Sequence, residues 1–188
     1  SLVVDLLDQD LFTFRTTLQS EISHIELKGK LNITSGQGHA TLNLHNPNIA
    51  KLSKYALRVK GLSVLRGGVT LKAQANWDNF KFQPLHYRGK VQVGNLTALV
   101  PYYTTPVQLN TAVSLNERDI QIHSLNIQSQ PFEIAAQGFI YNYLQKKAPI
   151  ALDTHIHLQR LQFESLVQSL DLPGKTMQPI RPLQPKGT

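Results

Sequence analysis

The stretch Val69-Thr70-Leu71-Lys72-Ala73-Gln74-Ala75 alternates apolar and polar residues without a break. Successive side chains of an extended chain point to opposite faces. Val69, Leu71, Ala73 and Ala75 therefore share one face, and Thr70, Lys72 and Gln74 share the other. A period of two predicts a half-buried β-strand. The same pattern recurs outward along the chain. Val107, Leu109, Val113 and Leu115 oppose Gln108, Asn110 and Ser114, while Ile150, Leu152, Ile156 and Leu158 oppose Asp153, His155 and His157. Shorter versions are Leu31/Ile33, Leu42/Leu44 and Val91/Val93.

Turn-forming residues punctuate these runs at residues 35–38 (Ser-Gly-Gln-Gly), 66–68 (Arg-Gly-Gly), 116–119 (Asn-Glu-Arg-Asp) and 129–131 (Ser-Gln-Pro). Short strands joined by tight turns predict antiparallel meanders, because parallel strands need long crossovers. Helical spacing interrupts the alternation twice. Ile49, Leu52, Tyr55 and Ala56 fall on one side of residues 48–57, and Phe163, Leu166, Val167 and Leu170 on one side of residues 161–170. Both segments are too short to hold as helices without a sheet beneath them. The expected fold is all-β dominated: an antiparallel meander forming an elongated, curved or groove-like sheet with two or three short helices. Residues 1–172 form one β-rich segment. Residues 173–188, with Pro173, Pro179, Pro182 and Pro185, read as a Pro-rich tail or linker that cannot sit inside a sheet.

Composition narrows the function class. Of 188 residues, 41% are hydrophobic and only 16% charged, against about 25% charged in ordinary soluble domains. Neutral polar residues take the place of charge, as suits the exposed faces of strands. Nineteen Lys and Arg against twelve Asp and Glu give a net charge of +7. The cations are scattered, and the densest run, Lys51 to Lys60, holds only Tyr55 as a stacking partner. No recognition helix, zinc finger or RNP pattern accompanies them, so nucleic acid is not the expected partner. Without cysteine there is no disulfide, thiol nucleophile or thiolate metal site. No stretch reaches the roughly 18 consecutive apolar residues of a membrane span, and no signal-peptide pattern opens the chain. The strand-like opening, Ser1 to Leu7, is that expected of a fragment whose membrane-targeting segment lies elsewhere.

Chemistry-bearing residues form no catalytic set. Asp153, His155 and His157 share a strand face as a metal site would require, yet they are also the natural polar positions of an alternating strand. His24, His39, His45, His86 and His123 are isolated beside strand-like sequence. Glu117 and Asp119 flank Arg118 in a turn, where polar residues belong in any case. Asp5, Asp8 and Asp10 form a loose acidic start. Neither a nucleophile elbow, a phosphate loop nor a dinucleotide fingerprint occurs. The expectation is a non-enzymatic chain without cofactor or metal.

A weak internal repeat carries more information. Thr41-Leu42-Asn43-Leu44 leads into Ile49-Ala50-Lys51-Leu52, Lys90-Val91-Gln92-Val93 into Leu96 to Tyr102, and His155-Ile156-His157-Leu158 into Leu161 to Leu166. Each joins a short strand to an apolar-spaced segment, and the units near 29–57, 89–103 and 150–170 point to stacked, similar β units. The run GNLTALVPYY (94–103) and the following TPVQLNTAVSLNERDIQIHSLNIQSQPFEIAAQGFIYN (105–142) resemble the AsmA-like and TamB-like proteins of Gram-negative envelopes. The resemblance covers roughly residues 25–170. It implies a long β-groove with an apolar face, anchored in the inner membrane and lying in the periplasm. It further implies conduction of phospholipid, or support of outer-membrane assembly.

The residues carry a physical case for lipid as well. A sheet with one apolar face must have that face covered, by protein or by something else. The candidate lining residues are Val91, Val93, Val113, Leu115, Ile134, Ile156 and Leu158. Expected partners are phospholipid acyl chains, flanking repeats of the full-length chain, and a second copy through a strand edge. The alternative is a structural or protein-interaction β domain of the envelope, with those same residues in a closed core.

Overall fold

Alternation dictates ten strands, and a computed structural model, which describes residues 2–8, 10–21, 23–51, 62–82, 85–144 and 148–170, pairs them in one sheet. They are β1 (Leu2–Asp8), β2 (Leu11–Gln19), β3 (His24–Asn32), β4 (Gly38–Asn46) and β5 (Ser63–Trp77), followed by β6 (Leu85–Leu99), β7 (Val107–Asn116), β8 (Ile120–Gln128), β9 (Phe132–Tyr141) and β10 (Ala151–Leu161). Spatial order equals chain order, and every neighbouring pair is antiparallel. The sheet does not close on itself, and β1 and β10 form its two edges. The expected open all-β meander is the observed fold.

Three of the expected turns have local causes. At 116–119 the Asn116 side chain accepts hydrogen bonds from the backbone N–H groups of Arg118 and Asp119, at 2.8 and 2.9 Å. Asn32 does the same for Thr34 and Ser35 after β3. Both are turns closed by an Asn side chain standing in for backbone. At 129–131 the Ser129 N–H reaches the Phe132 carbonyl and Pro131 is fully buried.

The run Arg66-Gly67-Gly68 departs from its expected turn. It lies inside β5, where the register against β6 slips on both sides of Arg66. Gly67 has φ +140°, and a Cβ there would press on the Leu96 backbone, so glycine permits a bulge instead of a reversal. Facing it, Asn95 takes φ 52° and β6 slips between Val93 and Leu96. That second bulge restores the phase of the alternation. Leu96 to Leu99 therefore continue β6 rather than beginning a separate segment, and Leu96 and Ala98 return to the face of Val91 and Val93. Further slips in β8 around residues 123–124 and in β10 at Gln159 add to the local twist and bend.

One helix, α1 (Phe163–Ser169), follows β10 inside the expected segment 161–170. Its seven residues lack a side-chain cap and are held by the end of the sheet. Leu170 bridges to Tyr103, the Thr104 N–H and hydroxyl both donate to the Ser169 carbonyl, and the Gln162 N–H reaches Pro131. Residues 49–51 are helical, as expected; the remainder of that segment, residues 52–57, and the Pro-rich tail lie outside the described residues.

Candidate functional site

Cross-strand partners in an antiparallel sheet point to the same side, so the register assigns the faces. Leu44, Leu71, Val91, Val113 and Ile122 form one continuous row across β4 to β8. Leu96, Leu109, Ile127, Ile134 and Leu158 form a second row across β6 to β10. Val93 and Ile156 fall between these rows, and Leu115 pairs with Ile120 at their margin. All seven candidate lining residues share this apolar face. Five of them are half-buried, while Ile156 and Leu158, on the edge strand, are 68% and 55% exposed.

No second layer lies on this face among the described residues; each strand packs against its sequence neighbours. Among the described hydrophobic side chains only Trp77 and Ala98 are buried, together with Pro131. Ordinary domains bury many Val, Leu and Ile side chains outright. Here they shield one another sideways and keep their outer surface open.

Aromatic groups mark both ends of the apolar face. At the end where β5 leads to β6 and β9 to β10, Trp77 packs on Phe82 with ring centroids 5.1 Å apart, and the indole lies over Gly38 of β4. The Trp77 Nε1 is buried without a hydrogen-bond partner among the described residues. Beside it the Tyr87 and Tyr143 hydroxyls meet at 2.9 Å, and the Tyr143 hydroxyl lies 2.8 Å from the Asn116 carbonyl, to which it donates. Burial, and then the Tyr87 hydroxyl, push the Tyr143 phenol up to about 12. At the opposite end Tyr103 packs on Phe132 at 6.0 Å, beside α1. Among the described residues these groups bracket the strands and leave the middle rows uncovered.

The polar face carries the expected titratable residues of β10. Asp153, His155 and His157 lie on it along β10, paired with Phe139, Gln137 and Ala135. The described residues hold no cluster of three His, Asp or Glu positioned to share a metal ion. Glu117 does not turn toward Asp119; it meets His86 Nδ1 at 2.8 Å. Its own backbone N–H, and then His86, hold its carboxyl below the usual value.

Sequence reasoning missed a cleft of about 680 Å³ that opens on the polar face across β4 to β9. Lys72, Arg88 and Lys90 line it. In the sequence they are scattered polar positions of separate strands, and only the register brings Lys72 directly opposite Lys90.

No family model, curated protein or solved structure matches the chain. No helix of the described residues is long and apolar enough to cross a membrane.

Proposed function

We propose that the chain is a lipid-binding β module of an AsmA-like or TamB-like envelope protein, its apolar face holding phospholipid acyl chains. One observation carries the reading: apolar side chains from neighbouring strands line up on one face, and almost none of them is buried. Removing a methylene from water is worth about 0.8 kcal/mol, so an acyl chain lying along a row of Val, Leu and Ile has ample driving force. The periplasm, an inner-membrane anchor elsewhere in a longer chain and a role in outer-membrane assembly belong to the same proposal. So does the absence of an enzymatic reaction.

Among the described residues the outer edges of β1 and β10 are unpaired, which supports a further part of it. An open edge presents free backbone donors and acceptors. Flanking repeats of the same chain, or a second copy, would extend the sheet and lengthen the apolar face.

The test is extraction of the protein, purified without detergent, followed by mass spectrometry. Phospholipid at a fixed stoichiometry is expected, and aspartate at Val113 or Ile156 should lower it severalfold. An absence of lipid, with strongly protected amides throughout β6 to β9, would instead favour an envelope scaffold with no lipid site.

A further inference from the structure

Two lysines stand directly opposite each other in the middle of the sheet, Lys72 on β5 and Lys90 on β6. Like charges at opposed positions destabilise a sheet, and neither lysine meets a carboxylate among the described residues. The carboxylate on the neighbouring part of this face, Glu26, is already taken by Arg15 at 2.6 Å and Lys28 at 3.0 Å. Arg88 adds a third cation two residues along β6, on the same face. Its Nε donates to Gln74 Oε1 at 2.8 Å, which fixes the guanidinium and leaves its terminal N–H groups for a ligand. Asp119, at the turn end, is the one carboxylate lining the cleft among the described residues, and its side chain accepts from the Asn142 N–H.

The surroundings of this charge are ordered in rows. Asn43, Lys72, Lys90, Ser114, Gln121 and Phe139 pair in sequence across β4 to β9, and the row continues to Glu26 of β3 on one side and to Asp153 of β10 on the other. Thr41, Gln74, Arg88 and Asn116 form the adjacent row. Phe139 stacks on Tyr141 with centroids 5.7 Å apart and planes within 8°. From β4 to β9 both rows and the ring pair line the one cleft.

We propose that this cleft binds a sugar chain bearing phosphate groups, lying across the strands. The phosphate sits on the Lys72–Lys90 pair with Arg88, relieving a repulsion that the described residues leave uncompensated. Amide and hydroxyl side chains on either side serve sugar hydroxyls, which both donate and accept. The Phe139–Tyr141 pair offers a flat apolar platform for the C–H face of a sugar ring. Neighbouring strands are about 4.8 Å apart, a spacing comparable to the advance of a pyranose chain per residue. A single-stranded nucleic acid fits this layout poorly. It needs cations along its backbone interleaved with stacking rings, and here the cations gather at one point and the rings at one end.

The site lies on the opposite face from the proposed lipid surface and does not depend on it. The experiment is isothermal titration of the full chain with phosphorylated dextran, unmodified dextran, polyphosphate and oligothymidylate, the charged probes matched in phosphate. Phosphorylated dextran should bind about tenfold more tightly than any of the others. The double variant Lys72→Gln/Lys90→Gln should lose that binding, and Val113→Asp should keep it. Equal binding of polyphosphate or oligothymidylate, no binding of phosphorylated dextran, or binding retained in the double variant would each overturn the proposal. A second measurement needs no ligand. At low salt, Lys90→Gln should raise the unfolding midpoint by relieving the pair; a lowered midpoint would mean that the lysines serve the fold and not an anion.

Discussion

In β6, Val91 and Val93 are half-buried between β5 and β7; in β10, Ile156 and Leu158 occupy the same face and remain 68% and 55% exposed. The two strands have the same alternation and differ in their neighbours. β6 is flanked on both sides, whereas β10 has only β9. Among the described residues burial is therefore lateral, supplied by the adjacent strand and not by a layer overhead. Every residue of β10 is exposed for that reason. Stability should accordingly reside in cross-strand pairs of the interior, and none of the described residues forms a layer over the apolar face.

The sharpest way to break this comparison is to place the same charge on both strands. Val113 sits between Val91 and Ile122, so Val113→Asp removes two apolar pairs and sets a carboxylate among half-buried aliphatic groups. Urea unfolding should show a loss of ~2–3 kcal/mol. Ile156→Asp, on the exposed edge, should cost under ~1 kcal/mol. Equal losses would mean that β10 is covered in solution, by another copy of the chain or by a bound ligand.

The difference between these strands also shows what could be read from sequence. Alternation put Val91 with Val93, Val113 with Leu115, and Ile156 with Leu158; the register brings these pairs and Ile134, the remaining candidate lining residue, to one face. A period of two survives any number of neighbours, so facing is legible. Position at an edge is not, because it depends on which strand ends the sheet. The bulges at Gly67 and Asn95 were illegible for a related reason. Arg-Gly-Gly suits a turn as well as a bulge, and only the facing slip at Val93–Leu96 decides between them. The Lys72–Lys90 pair stayed hidden because opposed positions are separated by a hairpin whose geometry alternation does not set.

A second contrast concerns two glycines of the sheet. Gly38 pairs with Trp77 and lies beneath its indole, so a methyl group there would overlap the ring. Gly94, beside the β6 bulge, has nothing within 4 Å of its absent side chain. Gly38→Ala should cost ~1–3 kcal/mol by displacing the Trp77 ring, with a corresponding fall in the thermal midpoint. Gly94→Ala should stay within ~0.5 kcal/mol of the parent. A tolerated Gly38→Ala would show that Trp77 moves aside readily and does not hold that end of the face.

The smallest effect tests the same end by a different route. Tyr143 bonds to Tyr87 and to the Asn116 carbonyl, whereas Tyr102, at the other end, is 64% exposed. Tyr143→Phe should cost ~1 kcal/mol at neutral pH, the net worth of an ordinary hydrogen bond, and Tyr102→Phe nothing measurable. Alkaline pH separates this role from simple packing. The Tyr143 phenol is raised from the ordinary 10.0 to about 12, so between those values the unfolded chain has released a proton that the folded chain retains. The unfolded state binds fewer protons there, and stability falls as pH rises. Its contribution is full below pH 10, declines through the interval and is exhausted above about 12. Urea midpoints measured across that interval should slope less steeply in Tyr143→Phe than in the parent. Parallel slopes would mean that the hydroxyl is open to water, and with it the end of the apolar face that Tyr87 and Tyr143 close.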